Sequence, residues 1–143
     1  MKTSSKARYS LRLVIDIAQN ESNGPVPLSE VSRRQGISLK YLEQLVMALT
    51  KAKLLKSVRG QQGGYLLARS AEQITAGDIM RSSEGSFNPV ACLAGDADDC
   101  PNQGSCSSST FWAGMRRAID DYADSVTIAT LAHEPDLMLE RSC

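Results

Sequence analysis

The chain carries one histidine in 143 residues, and that residue, His133, stands far in sequence from the thiols grouped between positions 92 and 106. No Cys/His nucleophile pair is evident. The glycine-rich stretch Gly60-Gln61-Gln62-Gly63-Gly64 lacks the Lys-Ser/Thr of a nucleotide-holding phosphate loop, so the chain reads as a non-enzyme. Long apolar runs are missing too. None approaches the ~20 residues of a membrane span, and the opening Met1-Lys2-Thr3-Ser4-Ser5-Lys6 has no apolar segment of a secretory signal. The expectation is a cytoplasmic protein with no membrane partner. Internal repeats and low-complexity tracts are absent as well.

Net charge is the last absence and the most informative. The formal charge is zero, yet residues 1–69 hold 12 Lys/Arg against 4 Asp/Glu, net +8, and residues 70–143 hold 4 against 12, net −8. The first half suits a polyanion, and the second should face away from it. A hydrophobic content of 42% is ample for the core of one domain with an appendage.

The stretch from Ile37 to Arg69 organises the rest. Leu39, Leu42, Leu45, Val46 and Leu49 recur at steps of three and four, which predicts a helix whose Lys40, Tyr41, Gln44 and Lys51 project away from its apolar face. Ser38 is placed to cap it, and Gly36 sits where a tight turn from a preceding helix needs positive φ. Leu54 to Arg59 and Tyr65 to Ala68 read as two short strands joined by the glycine-rich tip. Helix, turn, helix and basic hairpin together predict a winged helix-turn-helix. The fold class is mainly α with a small β-hairpin wing.

Around this unit, Leu11, Val14, Ile15 and Ala18 predict an amphipathic helix over 7–19, and Gly24, Pro25 and Pro27 a connecting loop over 20–27. Leu28 to Gln35 is the short first helix of the motif, with Leu28 and Val31 inward. Its Arg33-Arg34 point outward, either to a polyanion or as a solvated face. A further short helix begins near Thr75 and ends at Gly85. Residues 87–109 show little periodicity. From Thr110 a long helix is predicted, with Trp112, Met115, Ile119, Tyr122 and Val126 forming a heptad-like seam that suits a second copy. Pro135 is expected to stop it. The resulting division is a DNA-binding unit over 1–85, a cysteine-containing sensor loop over 86–109, a dimerisation helix over 110–132 and a tail over 133–143.

Such a helix fits the major groove. Gln44 offers a donor and an acceptor to adenine, Lys40 meets guanine acceptors or phosphate, and Tyr41 does either or packs. Arg59, beside Gly60 at the base of the wing, is placed for a minor groove or a phosphate. Glu43 is the odd member, repelled by phosphate unless it accepts from cytosine or filters against other sequences. Cys92, Cys100 and Cys106 fall within fifteen residues, with seven and then five residues between them. Clustered thiols in a cytosolic chain point to an iron–sulfur cluster, a zinc site or reversibly oxidised thiols rather than structural disulfides.

Ile37-Ser38-Leu39-Lys40-Tyr41-Leu42-Glu43-Gln44-Leu45 and Ser57-Val58-Arg59-Gly60-Gln61-Gln62-Gly63-Gly64-Tyr65-Leu66-Leu67 resemble the signature of the bacterial IscR-like iron–sulfur cluster regulators. Lys6-Ala7-Arg8-Tyr9, Pro25-Val26-Pro27-Leu28 and the Cys-containing loop before a Trp-bearing helix extend the likeness over nearly the whole chain. The resemblance implies a homodimeric transcriptional repressor on a double-stranded, palindrome-like DNA operator. It also implies sensing by a [2Fe-2S] or [4Fe-4S] cluster on the three loop cysteines, and a part for Glu43 in operator choice. The family's first two cysteines are often closer together than Cys92 and Cys100, and two further departures leave the fourth ligand open. The family's His three residues past the third Cys is Ser109 here, and its alternative acid near position 8 of the partner chain is Arg8. Asp96, Asp98, Asp99, Cys143 or an exogenous thiol remain as candidates. The other reading, from the family's cysteine-metabolism branch, is a cluster-free repressor controlled by a metabolite or a protein partner.

Overall fold

The structure is a computed structural model that describes residues 3–94, 100–102 and 104–133. Its centre is helix α1 (Ser5–Asn20), opened by the Ser4 hydroxyl, which accepts from the Ala7 amide at 3.2 Å. The expected stripe of Leu11, Val14, Ile15 and Ala18 is only part of what α1 buries. Leu13, Val14 and Ile17 are fully enclosed, while Leu11, Ile15 and Ala18 are half-buried around them. Elements pack against α1 on several sides, so an apolar arc wider than one stripe is covered.

Helix α2 (Leu28–Gln35) ends at Gly36 with φ 65°, the left-handed turn that a side chain would strain. Helix α3 (Leu39–Lys51) starts after Ser38, whose hydroxyl accepts from the Tyr41 amide at 3.3 Å, and buries Leu42, Leu45, Val46 and Leu49. Leu39 falls in the first turn beyond the core and is exposed. Strands β1 (Leu55–Val58) and β2 (Gly64–Leu67) pair antiparallel, Leu55 opposite Leu67 and Val58 opposite Gly64. The loop before α2 adds a rung: Val26 and Tyr65 exchange two backbone hydrogen bonds of 2.9 Å. A Cβ on Gly64 would strike the Val26–Pro27 backbone, so only glycine lets the wing approach this closely. Helix α4 (Ala76–Glu84) begins with a reciprocal Thr75/Asp78 capping box.

One element differs from the prediction. The helix expected over 110–132 is two: α5 (Ser109–Ser125) and α6 (Ile128–His133). Between them Val126 is extended (φ −99°, ψ 112°) and its carbonyl accepts from Ala76 at 2.8 Å, while the Ile128 amide donates to Ile74 at 2.8 Å. The extended residues leading into α4 need backbone partners, and Val126 and Ile128, flanking Thr127 in a β-branched run, supply them at small helical cost. Ile128 then enters the core beside α1. The expected stop at Pro135 lies outside the described residues.

Charge also enters that core. Asp16 on α1 is 2% exposed at its side chain and receives a two-pronged hydrogen bond from Arg34, Nη2 to Oδ1 at 2.6 Å and Nε to Oδ2 at 3.0 Å. Gln35 donates to the same carboxylate at 2.9 Å, and Arg12 holds the Gln35 amide and carbonyl oxygens at 3.1 and 2.6 Å. Of the two arginines expected to point outward, Arg33 stands free of the core and pairs with Glu30 at 2.8 Å, whereas Arg34, still reached by solvent, extends across to Asp16. Arg34→Ala strands the Asp16 carboxylate and should lower unfolding stability by about 2–3 kcal/mol, the lesser end for a broken buried pair because Arg34 retains some solvent. Urea unfolding checks this, and an unchanged midpoint would refute the anchoring role.

Candidate nucleic-acid interface and cysteine loop

Lys40, Glu43 and Gln44 stand exposed on the outward face of α3, as the helical period requires. Tyr41 is half-buried. Its ring meets that of Tyr9 edge-on, centroids 5.8 Å apart at 88°, and the Arg8 and Arg12 guanidinium groups lie 5.6 and 5.5 Å from the Tyr9 ring centre. The Ser38 hydroxyl is engaged by the backbone as a cap. Arg59 and Gly60 are exposed at the wing tip, where Gly60 takes φ 117° and its carbonyl accepts from Gly63 at 3.1 Å. A shallow groove lined by Glu43, Met47 and Lys51 from α3 and by Ser57 and Tyr65 from the wing joins the two elements. Lys53, Lys56 and Arg69 sit exposed at the wing base, so the positive half-chain presents its charge around α3 and the hairpin. Met47 was missed in the sequence because attention to polar members of the outward face passes over an apolar one.

The three loop thiols share a second feature. Cys92, exposed in a 3₁₀ turn at Ala91–Leu93, and the half-buried Cys100 and Cys106 line one cavity of about 150 Å³ with Leu93, Ser109 and Trp112. Trp112 therefore belongs to the wall of this cavity rather than to the apolar seam, with Phe111 packed edge-on against it at 4.9 Å. Ser108 Oγ lies 3.3 Å from Cys106 Sγ. Its hydroxyl first, then the Ser108 and Ser109 amides, hold that thiol below its ordinary value. The donors are of the soft type that suits iron or zinc. Among the described residues, no three His, Cys, Asp or Glu side chains converge on a point that could hold a metal ion. The thiols thus share a cavity without being drawn to a common centre. Asp96, Asp98, Asp99 and Cys143 lie outside the described residues, and His133 is exposed at the end of α6.

A chain of polar contacts leads from this loop into the DNA-binding half. Arg116 on α5 donates to the Leu93 carbonyl at 3.3 Å and pairs with Asp120 at 3.6 Å. Asp120 pairs in turn with Arg81 on α4 at 3.5 Å, and Arg81 also contacts Asp124 and Asp78 and lies 5.9 Å from the Phe87 ring centre. Beside it runs an apolar groove of about 510 Å³ lined by Leu11, Met80, Met115, Ile119, Tyr122 and Val126 among others. Four members of the expected seam meet here, and Tyr122 is 73% exposed.

Residues 3–134 match the Rrf2 family, described as an iron-dependent transcriptional regulator. The chain belongs to the Rrf2 family. A relative in Yersinia pseudotuberculosis, named HTH-type transcriptional regulator IscR, is 36% identical over 138 residues, covering 96% of this chain and 83% of its own. Among solved structures, the B. subtilis global cysteine regulator CymR is 38% identical with TM-score 0.78, covering 95% of this chain and 99% of its own. T. potens IscR is 37% identical with TM-score 0.77, covering 95% and 89%. This Rrf2 protein is accordingly a winged-helix, DNA-binding transcriptional regulator and not an enzyme. Among the described residues no helix is long and apolar enough to cross a membrane.

Proposed function

We propose that this Rrf2 regulator is a cytoplasmic homodimeric repressor whose hold on its operator is set by an iron–sulfur cluster on Cys92, Cys100 and Cys106. The observation that supports this reading most is the single cavity shared by the three thiols against Trp112, at the head of α5. Relatives of similar sequence named IscR point the same way. When bound, the cluster supplies iron–thiolate bonds and a redox-sensitive state. The chain's own residues do the rest. Closing the loop moves the Leu93 carbonyl, which Arg116 follows, and the Arg116–Asp120–Arg81 contacts carry the shift to α4 beneath the reading helix. Couplings of this kind are on the order of 5–150-fold in affinity.

On the DNA side, Gln44, Glu43, Lys40 and Tyr41 meet base edges or flanking phosphates, Ser38 fixes the helix start, and Arg59 with Gly60 brings the wing to the backbone. Gln44→Ala should lose ~1–3 kcal/mol on the operator and little on random duplex. Arg59→Ala should weaken both and flatten the salt dependence. Fluorescence anisotropy across a salt series separates the two, and equal losses on both duplexes for Gln44→Ala would rule out base reading.

The groove along α5 is read as the dimer contact, since Met115 and Ile119 line an apolar surface beside the exposed Tyr122. Converting Met115 and Ile119 together to lysine should yield a monomer by sedimentation, because unpaired ammonium groups cannot be buried there. A dimer of undiminished stability would displace the interface.

A second reading, a cluster-free repressor controlled by a metabolite or protein partner, is favoured by the likeness to the cysteine regulator CymR. Anaerobic purification with absorbance spectra and iron and sulfide analysis decides between them. Cys92→Ala, Cys100→Ala and Cys106→Ala are each expected to lose iron and sulfide together, and wild-type protein free of both would favour the second reading.

A further inference from the structure

We propose that Met47 reads a thymine methyl in the major groove of the operator. The inference rests on α3 entering that groove and adds a specificity contact to those already assigned. At 3.6 residues per turn, positions 40, 43, 44, 47 and 51 fall within an arc of about 100°, with Met47 near its middle. The other four members are Lys40, Glu43, Gln44 and Lys51, and the opposite face carries the buried Leu42, Leu45, Val46 and Leu49. Met47 is 73% exposed. A single exposed apolar side chain is ordinary on a protein surface. The informative point is its place, at the centre of a charged face and on the wall of the groove shared with Ser57 and Tyr65 of the wing. The apolar groove along α5 is lined by other residues, so a second copy docked there has no claim on Met47.

Charge complementarity selects the occupant. Lys51 lines the groove with Met47, opposed there by Glu43 alone among the described residues, Lys40 shares the same helical face, and Arg59 stands exposed on the wing, in a half-chain of net charge +8 counted over residues 1–69. A duplex held by those cations presents hydrogen-bonding edges in its major groove and one apolar group, the thymine C5 methyl. The unbranched thioether chain adapts to such a contact without demanding one backbone geometry. Cytosine at the same place would turn its amino group toward a thioether that accepts weakly, leaving a polar group poorly solvated. From Gln44 to Met47 the helix rises about 4.5 Å, little more than one base-pair step of ~3.4 Å. The methyl read by Met47 therefore lies within about one or two base pairs of the pair Gln44 meets.

The test uses full-length wild-type protein and duplexes selected by it from a random pool, with each thymine of the half-site replaced in turn by uracil. That change removes the C5 methyl alone. Uracil at one position per half-site is expected to weaken wild-type binding about fourfold for each methyl, the worth of burying one such group. Met47→Gln should bind the thymine and uracil forms alike, and Met47→Leu should keep the discrimination. Wild-type indifference to uracil at every position, unaltered discrimination in Met47→Gln, or a Met47→Gln loss equal on selected and random duplexes would each overturn the assignment. If Gln44→Ala still lowers the preference for selected duplex, such a result removes Met47 alone. If Gln44→Ala, Glu43→Ala and Lys40→Ala all leave that preference intact as well, α3 is not the reading helix and the Met47 contact falls with it.

Discussion

A carboxylate buried on the central helix governs how this regulator presents its reading surface. Asp16 accepts from both sides of the Arg34 guanidinium and from Gln35, so three directed bonds meet where α1 crosses the end of α2. A buried ion pair adds little net stability relative to apolar packing, but breaking it strands a charge. Few rotations or slides of α2 along α1 keep all these bonds. Hydrophobic contacts alone would tolerate more. Because Gly36 turns the chain directly after α2 and Ser38 caps α3 two residues later, the direction of α3 follows from that anchor. The Tyr9–Tyr41 edge contact ties the first turn of α3 to α1 a second time.

The acidic half of the chain has a comparable centre in Arg81. Three aspartates from α4 and α5 surround it, and a neighbouring arginine on α5 reaches the carbonyl beside Cys92. These groups keep some solvent, so the individual pairs are weak. Their value lies in continuity, since they join the cysteine loop, α5 and α4 by direct contact, and α4 packs against α1. The charge division of the sequence thereby acquires a structural meaning. Positive residues crowd α3 and the wing, and three of the twelve acids of residues 70–143, Asp78, Asp120 and Asp124, join α4 to α5 through Arg81.

Much of this was legible beforehand. The cap at Ser38, the start of a helix near Thr75, the left-handed turn at Gly36, the hairpin between Leu55 and Leu67 and the outward set Lys40, Glu43, Gln44 all arise from interactions within a few residues, and local pattern reports such interactions well. The grouping of Cys92, Cys100 and Cys106 was visible for the same reason. Asp16 was not, since a lone acid in an amphipathic stripe gives no sign of the arginine eighteen residues away that makes its burial tolerable. The place of Trp112 in the wall of the cysteine cavity was not legible either, because period alone says which side of α5 it occupies, not what lies there.

The sequence by itself determined the element types, the polar face of α3, the thiol cluster and the two-signed charge, because helical period, capping and composition are encoded residue by residue. Only the tertiary structure decided that α5 stops at Ser125, that Val126 and Ile128 complete the backbone bonding of the segment before α4, and that Arg34 turns inward. Each of those outcomes depends on unsatisfied groups distant in the chain. A backbone carbonyl at Ile74 or a carboxylate at Asp16 imposes its demand for a partner only once folding has brought the candidates together.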